Sequence, residues 1–208
     1  MKRKLVALMA LLAGLALAQT TDPTRDDHKV TVKIPSILQL SLDATDYLFD
    51  FADTSLSGTE TVTVGGTPYT KASWAAYENF LNTATGTQDF APTSLTGTGG
   101  ADYGTVTVLT NRAQWTVKIS SISGSLTLGN DRVKVFAEKV SGKGASWTTT
   151  PTPITAASPL TLFSAGSNGQ GRSTYKLYYL FTMDINDDIP LSGIDNEQIT
   201  VNLLLTSP

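Results

Sequence analysis

The sequence predicts an all-β protein: a β-sandwich, immunoglobulin-like or jelly-roll-like, of about nine to eleven strands with at most one short helix. Three observations lead there. Apolar and polar residues alternate with period two in one segment after another, which marks half-buried strands. Charged residues make up only 16% of the chain and 17 residues are glycine; with Thr and Val abundant, this is a strand-and-turn composition. Only Lys71 to Asn82 carries apolar residues at helical spacing, through Ala72, Trp74, Ala75, Ala76, Tyr77, Phe80 and Leu81.

Residues 1–18 read as a secretory signal peptide. Lys2, Arg3 and Lys4 precede an apolar run from Leu5 to Leu15, and Ala16-Leu17-Ala18 supplies the small residues a signal peptidase reads. The run is shorter than the roughly 20 apolar residues a transmembrane helix needs, so no membrane span is expected after cleavage. The expected location is extracytoplasmic: secreted, or held in the cell envelope or at the surface. Residues 19–29 form a polar arm, and 30–208 read as a single β-sandwich domain of ordinary size.

Val30, Val32 and Ile34 alternate with Thr31 and Lys33, predicting a strand that ends at Pro35. Ile37 to Leu42 and Tyr47 to Phe51 follow as strands around the turn Asp43-Ala44-Thr45-Asp46. Glu60 to Val64 is a strand stopped by Gly65-Gly66. The segment 71–82 is the helix, with Trp74 expected to pack it onto a sheet. Asp89 to Gly100 reads as loop. Tyr103 to Leu109 leads through a hairpin turn at Asn111-Arg112 into Gln114 to Ser120, whose Trp115, Val117 and Ile119 share one face. Leu126 to Leu128 is a short strand. Arg132 to Lys139 alternates, with Phe136 the one apolar residue on its polar face. Val140 to Ala157 is a long loop around Trp147. Ser173 to Asp184 is apolar on both faces and is placed centrally, covered on both sides. Gln198 to Thr206 closes the fold with Val201, Leu203 and Leu205 on one face.

Composition excludes several functions. The formal charge is −3, and removing Lys2, Arg3 and Lys4 with the signal doubles it. With no basic stripe to neutralise phosphates, nucleic acid is not an expected partner. The chain has no cysteine. Disulfides, thiolate nucleophiles and thiolate metal sites are therefore absent, and the hydrophobic core alone must hold the fold.

Few motifs point to chemistry. His28 is the single histidine and lies in the polar arm; a His-based triad or zinc site would have to be built on it alone, and it reads as a solvated surface residue. Glu60, Glu78, Glu138 and Glu197 are the only glutamates, and no spacing selects a glycosidase pair from them. Asp184, Asn186, Asp188 and Asp195 fall at positions one, three, five and twelve of a calcium-loop template. Calcium is thus the one cofactor the sequence suggests. Against it, Ile189 replaces the turn glycine, Asp195 replaces the bidentate glutamate, and an ordinary acidic loop explains the same residues. Gly97 to Gly100 lacks the spacing of a phosphate loop and reads as a flexible turn. Trp147 and Tyr178 are candidates for stacking on sugar rings, whereas Tyr175 and Tyr179 read as core.

Two segments carry a resemblance. Gly104 to Ser120 (GTVTVLTNRAQWTVKIS) and Ile189 to Thr206 (IPLSGIDNEQITVNLLLT) resemble strands of bacterial exported surface β-sandwich proteins, of the fimbrial-subunit or WxL-like type. They cover about a sixth of the chain. Trp115-Thr116-Val117 departs from the Trp-x-Leu signature, and the resemblance transfers no functional residue. It implies an exported β-sandwich architecture.

Three functions compete. A non-catalytic structural or adhesive envelope protein would assemble with itself or another envelope protein through its edges and polar arm. A carbohydrate-binding module would use Trp147, Tyr178 and the acidic loop on a glycan. A glycan hydrolase would need two convergent carboxylates. The first is expected, and an enzyme is not.

Overall fold

The computed structural model describes residues 31–44, 46–97, 102–145 and 150–208. The signal segment, the polar arm, His28, Val30 and Trp147 lie outside the described residues. The chain divides into Met1–Ile34 and Pro35–Pro208. Of the first unit, Thr31–Ile34 are described; they are exposed and form no strand. The strand predicted from Val30 is therefore not formed there, because alternation supplies a face but no partner to pair with.

The second unit is all β with one helix. Its strands are β1 (Leu38–Leu42), β2 (Asp46–Leu48), β3 (Thr61–Val64), β4 (Thr67–Thr70), β5 (Thr87–Phe90), β6 (Ser94–Thr96), β7 (Gly104–Thr110), β8 (Trp115–Ser123), β9 (Val133–Ser141), β10 (Thr152–Pro153), β11 (Leu160–Ala165), β12 (Gly171–Asp184) and β13 (Thr200–Thr206); α1 is Trp74–Thr83. One sheet runs β1-β7-β12-β9-β10, with β5 pairing the far end of β12. A second runs β11-β8-β13, and β2–β6 and β3–β4 are separate two-stranded pairs. Every strand pairing is antiparallel.

The two larger sheets form the sandwich. Val106 and Val108 of β7, Tyr175 and Leu177 of β12 and Val135 and Ala137 of β9 meet Trp115, Val117 and Ile119 of β8 and Leu160 and Phe163 of β11. Alternation explains this, since every second residue of each strand faces the opposing sheet. Trp115 sits at the centre, its Nε1–H donating to the Gly169 carbonyl at 2.9 Å.

The outer face of the larger sheet is also covered, which is why β12 is apolar on both sides. The β3–β4 pair lays Val62 and Val64 over Phe136, Tyr178 and Leu180. Phe136, alone on its polar face in the sequence, thus has a partner. Gly65 and Gly66, at φ 57° and 87°, make the tight turn of this hairpin. Next to it α1 packs Ala76 and Phe80 on Phe90 and Met183. The Ser73 hydroxyl accepts from the Ala76 N–H and caps the helix.

The strand total exceeds the expected nine to eleven because β4, β5, β6, β10 and β11 form in stretches that the sequence pattern did not assign to strands. Leu126 to Leu128 is a turn instead of a strand; Asn130 Oδ1 accepts from the Leu126 N–H. Asn111-Arg112 is not a hairpin turn. The strands on either side belong to different sheets, so Asn111–Gln114 arches from one sheet to the other. Trp74 stands half exposed at the start of α1 and does not pack the helix down. Among the described residues no helix is long and apolar enough to cross a membrane.

Candidate functional site

The calcium-loop residues do not converge. The Asp184 carboxylate accepts from the Asn186 backbone N–H at 3.0 Å and its Nδ2 at 2.9 Å, and these bonds hold it below the usual carboxylate range. Asp187, outside the template, is the buried acid, bridged to Arg132 at 2.6 Å and accepting from the Asp184 N–H. Asp188 and Asp195 are exposed. Among the described residues no three His, Asp or Glu side chains are placed to hold a metal. The turn is closed by Asp187 and Arg132.

Tyr178 is buried and offers no ring face to a sugar. Phe136 and Tyr103 flank it, with centroids 6.3 and 5.6 Å away. Burial, reinforced by Glu138, raises its phenol above the usual range. Tyr175 and Tyr179 are core residues, as their pattern suggested.

Three of the four glutamates are occupied locally. Glu60 accepts from the Ser57, Gly58 and Thr59 N–H groups. Glu197 accepts from the Thr127 N–H at 2.8 Å and from its hydroxyl. Glu138 lies 3.8 Å from Lys176, and Glu78 is exposed on α1. A shallow polar cleft of about 300 Å³ lies among Tyr69, Gln88, Asp89 and Lys134. Its charges satisfy each other: Lys134 reaches both Asp89 oxygens at 2.8 Å, and the Thr182 hydroxyl donates to Oδ1 at 2.6 Å.

Among the described residues, what remains unpaired is a sheet boundary. β1 ends the larger sheet and β13 ends the smaller. They run along the same side of the sandwich, within 8 Å between Cα atoms at places, without pairing. Natural edges are blunted by charge, proline, shortness or cover. The other two edges follow that rule: β10 has two residues, one of them Pro153, and β11 is bulged at Leu162 and bonded by the Ala145 N–H. By contrast β1 (LQLSL) and β13 (TVNLLLT) contain neither charge nor proline. Leu38, Leu40 and Leu42 face inward, opposite Thr110, Val108 and Val106. Yet Leu38 and Leu42 are 42% and 45% exposed, since the smaller sheet stops short of them. Val201, Leu203 and Leu205 line the other side, only half buried.

The arch Asn111–Gln114 ties both chain ends of this unit to one pole. Asn111 Nδ2 donates to the Pro35 carbonyl at 2.7 Å, and its Oδ1 accepts from the Ile37 N–H at 2.9 Å. Arg112 donates to Ser207 Oγ at 3.2 Å and to the Pro208 carbonyl at 2.8 Å. Sequence reading recognised β1 and β13 as strands but missed that they are uncovered neighbours. Their lack of charge was the signal available. Comparison with known protein families, with characterised proteins and with solved structures gives no match.

Proposed function

We propose that the protein is an exported, non-catalytic structural or adhesive component of the bacterial cell envelope or surface, associating through its uncovered sheet edges. One observation carries this reading: two neighbouring edge strands, uncharged and free of proline, with inward leucines open to solvent. An apolar stripe beside unpaired backbone favours association over solitary existence. The signal-like segment 1–18 supports export. The carboxylates support a structural role, being spent on loops and ion pairs.

The test is cell fractionation with mass determination of the N-terminus, followed by sedimentation across a wide concentration range. A chain beginning at Gln19 outside the cytoplasm, with concentration-dependent association, is expected. Retention in the cytoplasm, or a strict monomer at every concentration, would refute the reading.

A further inference from the structure

The cleft beside Tyr69 is shaped by strand register. Thr182 of β12 lies opposite Asp89 of β5, and Leu180 of β12 lies opposite Lys134 of β9. Residues 180 and 182 share the outer face of the larger sheet, so the side chains of Lys134 and Asp89 meet over β12. The β3–β4 hairpin covers Leu180. It joins β5 at one end, where the Ala91 N–H donates to the Thr70 carbonyl and Lys71 bridges to Ala91. Toward Pro68 and Thr87 no pairing connects β4 and β5. The cleft of about 300 Å³ is that gap, with Asp89 and Lys134 in its lining.

The ion pair is held in place and keeps spare bonding capacity. Lys134 Nζ reaches both Asp89 oxygens at 2.8 Å, and the Thr182 hydroxyl donates to Oδ1 at 2.6 Å. The ammonium gives one N–H to each oxygen and retains its last; Oδ2 accepts once among the described residues and retains a lone pair. The Lys134 and Asp89 side chains are 25% and 19% exposed, recessed yet reachable from water. Their charges cancel, and no other charged residue lines the cleft, so it favours neither a cation nor an anion. It presents a donor beside an acceptor, next to the Tyr69 ring, which packs on the cluster of Val62, Phe136 and Tyr178.

We propose that this cleft binds a neutral pyranose unit of a glycan through two vicinal hydroxyls held by Lys134 and Asp89. One hydroxyl accepts from Nζ and its neighbour donates to Oδ2, so the ion pair stays intact. The apolar C–H face of the sugar lies against Tyr69 and Pro68. A volume of about 300 Å³ is the small end of the range for ligand clefts, which suits a single ring. Hydrolysis needs a second carboxyl group, and Asp89 is the only acid in the lining; the sugar is held and not cut. The proposal rests on the adhesive half of the proposed function, with the glycan as the surface adhered to.

The probes are the methyl pyranosides of glucose, galactose, mannose and N-acetylglucosamine, titrated into the isotope-labelled exported chain. The backbone amide resonances of Tyr69, Gln88, Asp89 and Lys134 should move together for at least one of them, with a Kd of about 1 mM. An analogue lacking either engaged hydroxyl should bind about tenfold more weakly, and so should Lys134→Met. Since the ligand is uncharged, the Kd should not change between low and high salt. The resonance map uses the parent protein, so it decides the matter even where Lys134→Met does not fold. Four results overturn the proposal: silence of these amides with every probe at about 100 mM, shifts centred elsewhere on the protein, full affinity in folded Lys134→Met, or a salt-dependent Kd. Binding of a free monosaccharide without its methyl glycoside would refute the glycan as its source. Silent amides in a protein that still associates leave the structural reading standing. Sugar binding by a strict monomer keeps the cleft and refutes association through the sheet edges.

Discussion

Trp115→Phe tests the account of the core most directly. The indole is wholly buried, donates to the Gly169 carbonyl at 2.9 Å, and meets the Phe163 ring edge-on at 6.3 Å. A Cβ on Gly169 would stand 2.5 Å from Nε1, so the neighbouring backbone is moulded to this side chain. Replacing the indole by a phenyl ring removes the donor, leaving a buried carbonyl unpaired at about 1–3 kcal/mol. It also leaves a partial cavity at about 24 cal/mol per Å³. Together the loss should be about 2–4 kcal/mol. Trp115→Ala should lose about 5 kcal/mol, against a total stability of about 5–15 kcal/mol for a domain. Urea unfolding followed by far-UV circular dichroism is the suitable assay, because the signal does not depend on the residue replaced. With a slope of about 1–3 kcal/mol/M, the phenyl variant should unfold about 1–2 M earlier. A midpoint within about 0.3 M of the parent, at unchanged slope, would refute the central role assigned to Trp115.

Two further outcomes follow from particular residues. Gly142 and Gly66 share a φ of 87°, but a Cβ on Gly142 would meet the Arg172 carbonyl at 2.3 Å, whereas one on Gly66 meets nothing within 4 Å. Gly66→Ala should cost about 1 kcal/mol for the left-handed backbone alone, and Gly142→Ala distinctly more; equal losses in urea would show that the close approach is immaterial. The Ser57 backbone N–H, with neighbouring donors, lowers the Glu60 carboxyl from 4.5 to about 2, and Asp184 and Glu197 shift in the same direction. Their stabilisation is therefore complete above about pH 4.5 and is lost as pH falls toward 2. The melting temperature of Glu60→Gln should fall less steeply than the parent's between pH 5 and 2, and a steeper fall would contradict the assignment.

The sequence by itself determined the all-β class, the one helix, and the inward faces of β8, β12 and β13. Those are local matters: a period of two decides which side chains share a face, and a helical period over Lys71 to Asn82 decides where the exception lies. It did not determine which faces meet. Thr31–Ile34 alternates as cleanly as β8, yet only β8 has sheet partners on either side, because pairing depends on residues distant in the chain. The same limit explains Tyr178, open to a surface role in sequence and buried once β3–β4 folds over it. It also explains Asp184, Asn186, Asp188 and Asp195, whose spacing matched a calcium loop until Arg132 and Asp187 closed the turn differently. The seam between β1 and β13 was signalled only by the absence of charge in both strands, and their adjacency was not legible for the same reason. Each strand is an ordinary segment on its own, and only the mismatch between a six-stranded and a three-stranded sheet leaves their leucines uncovered.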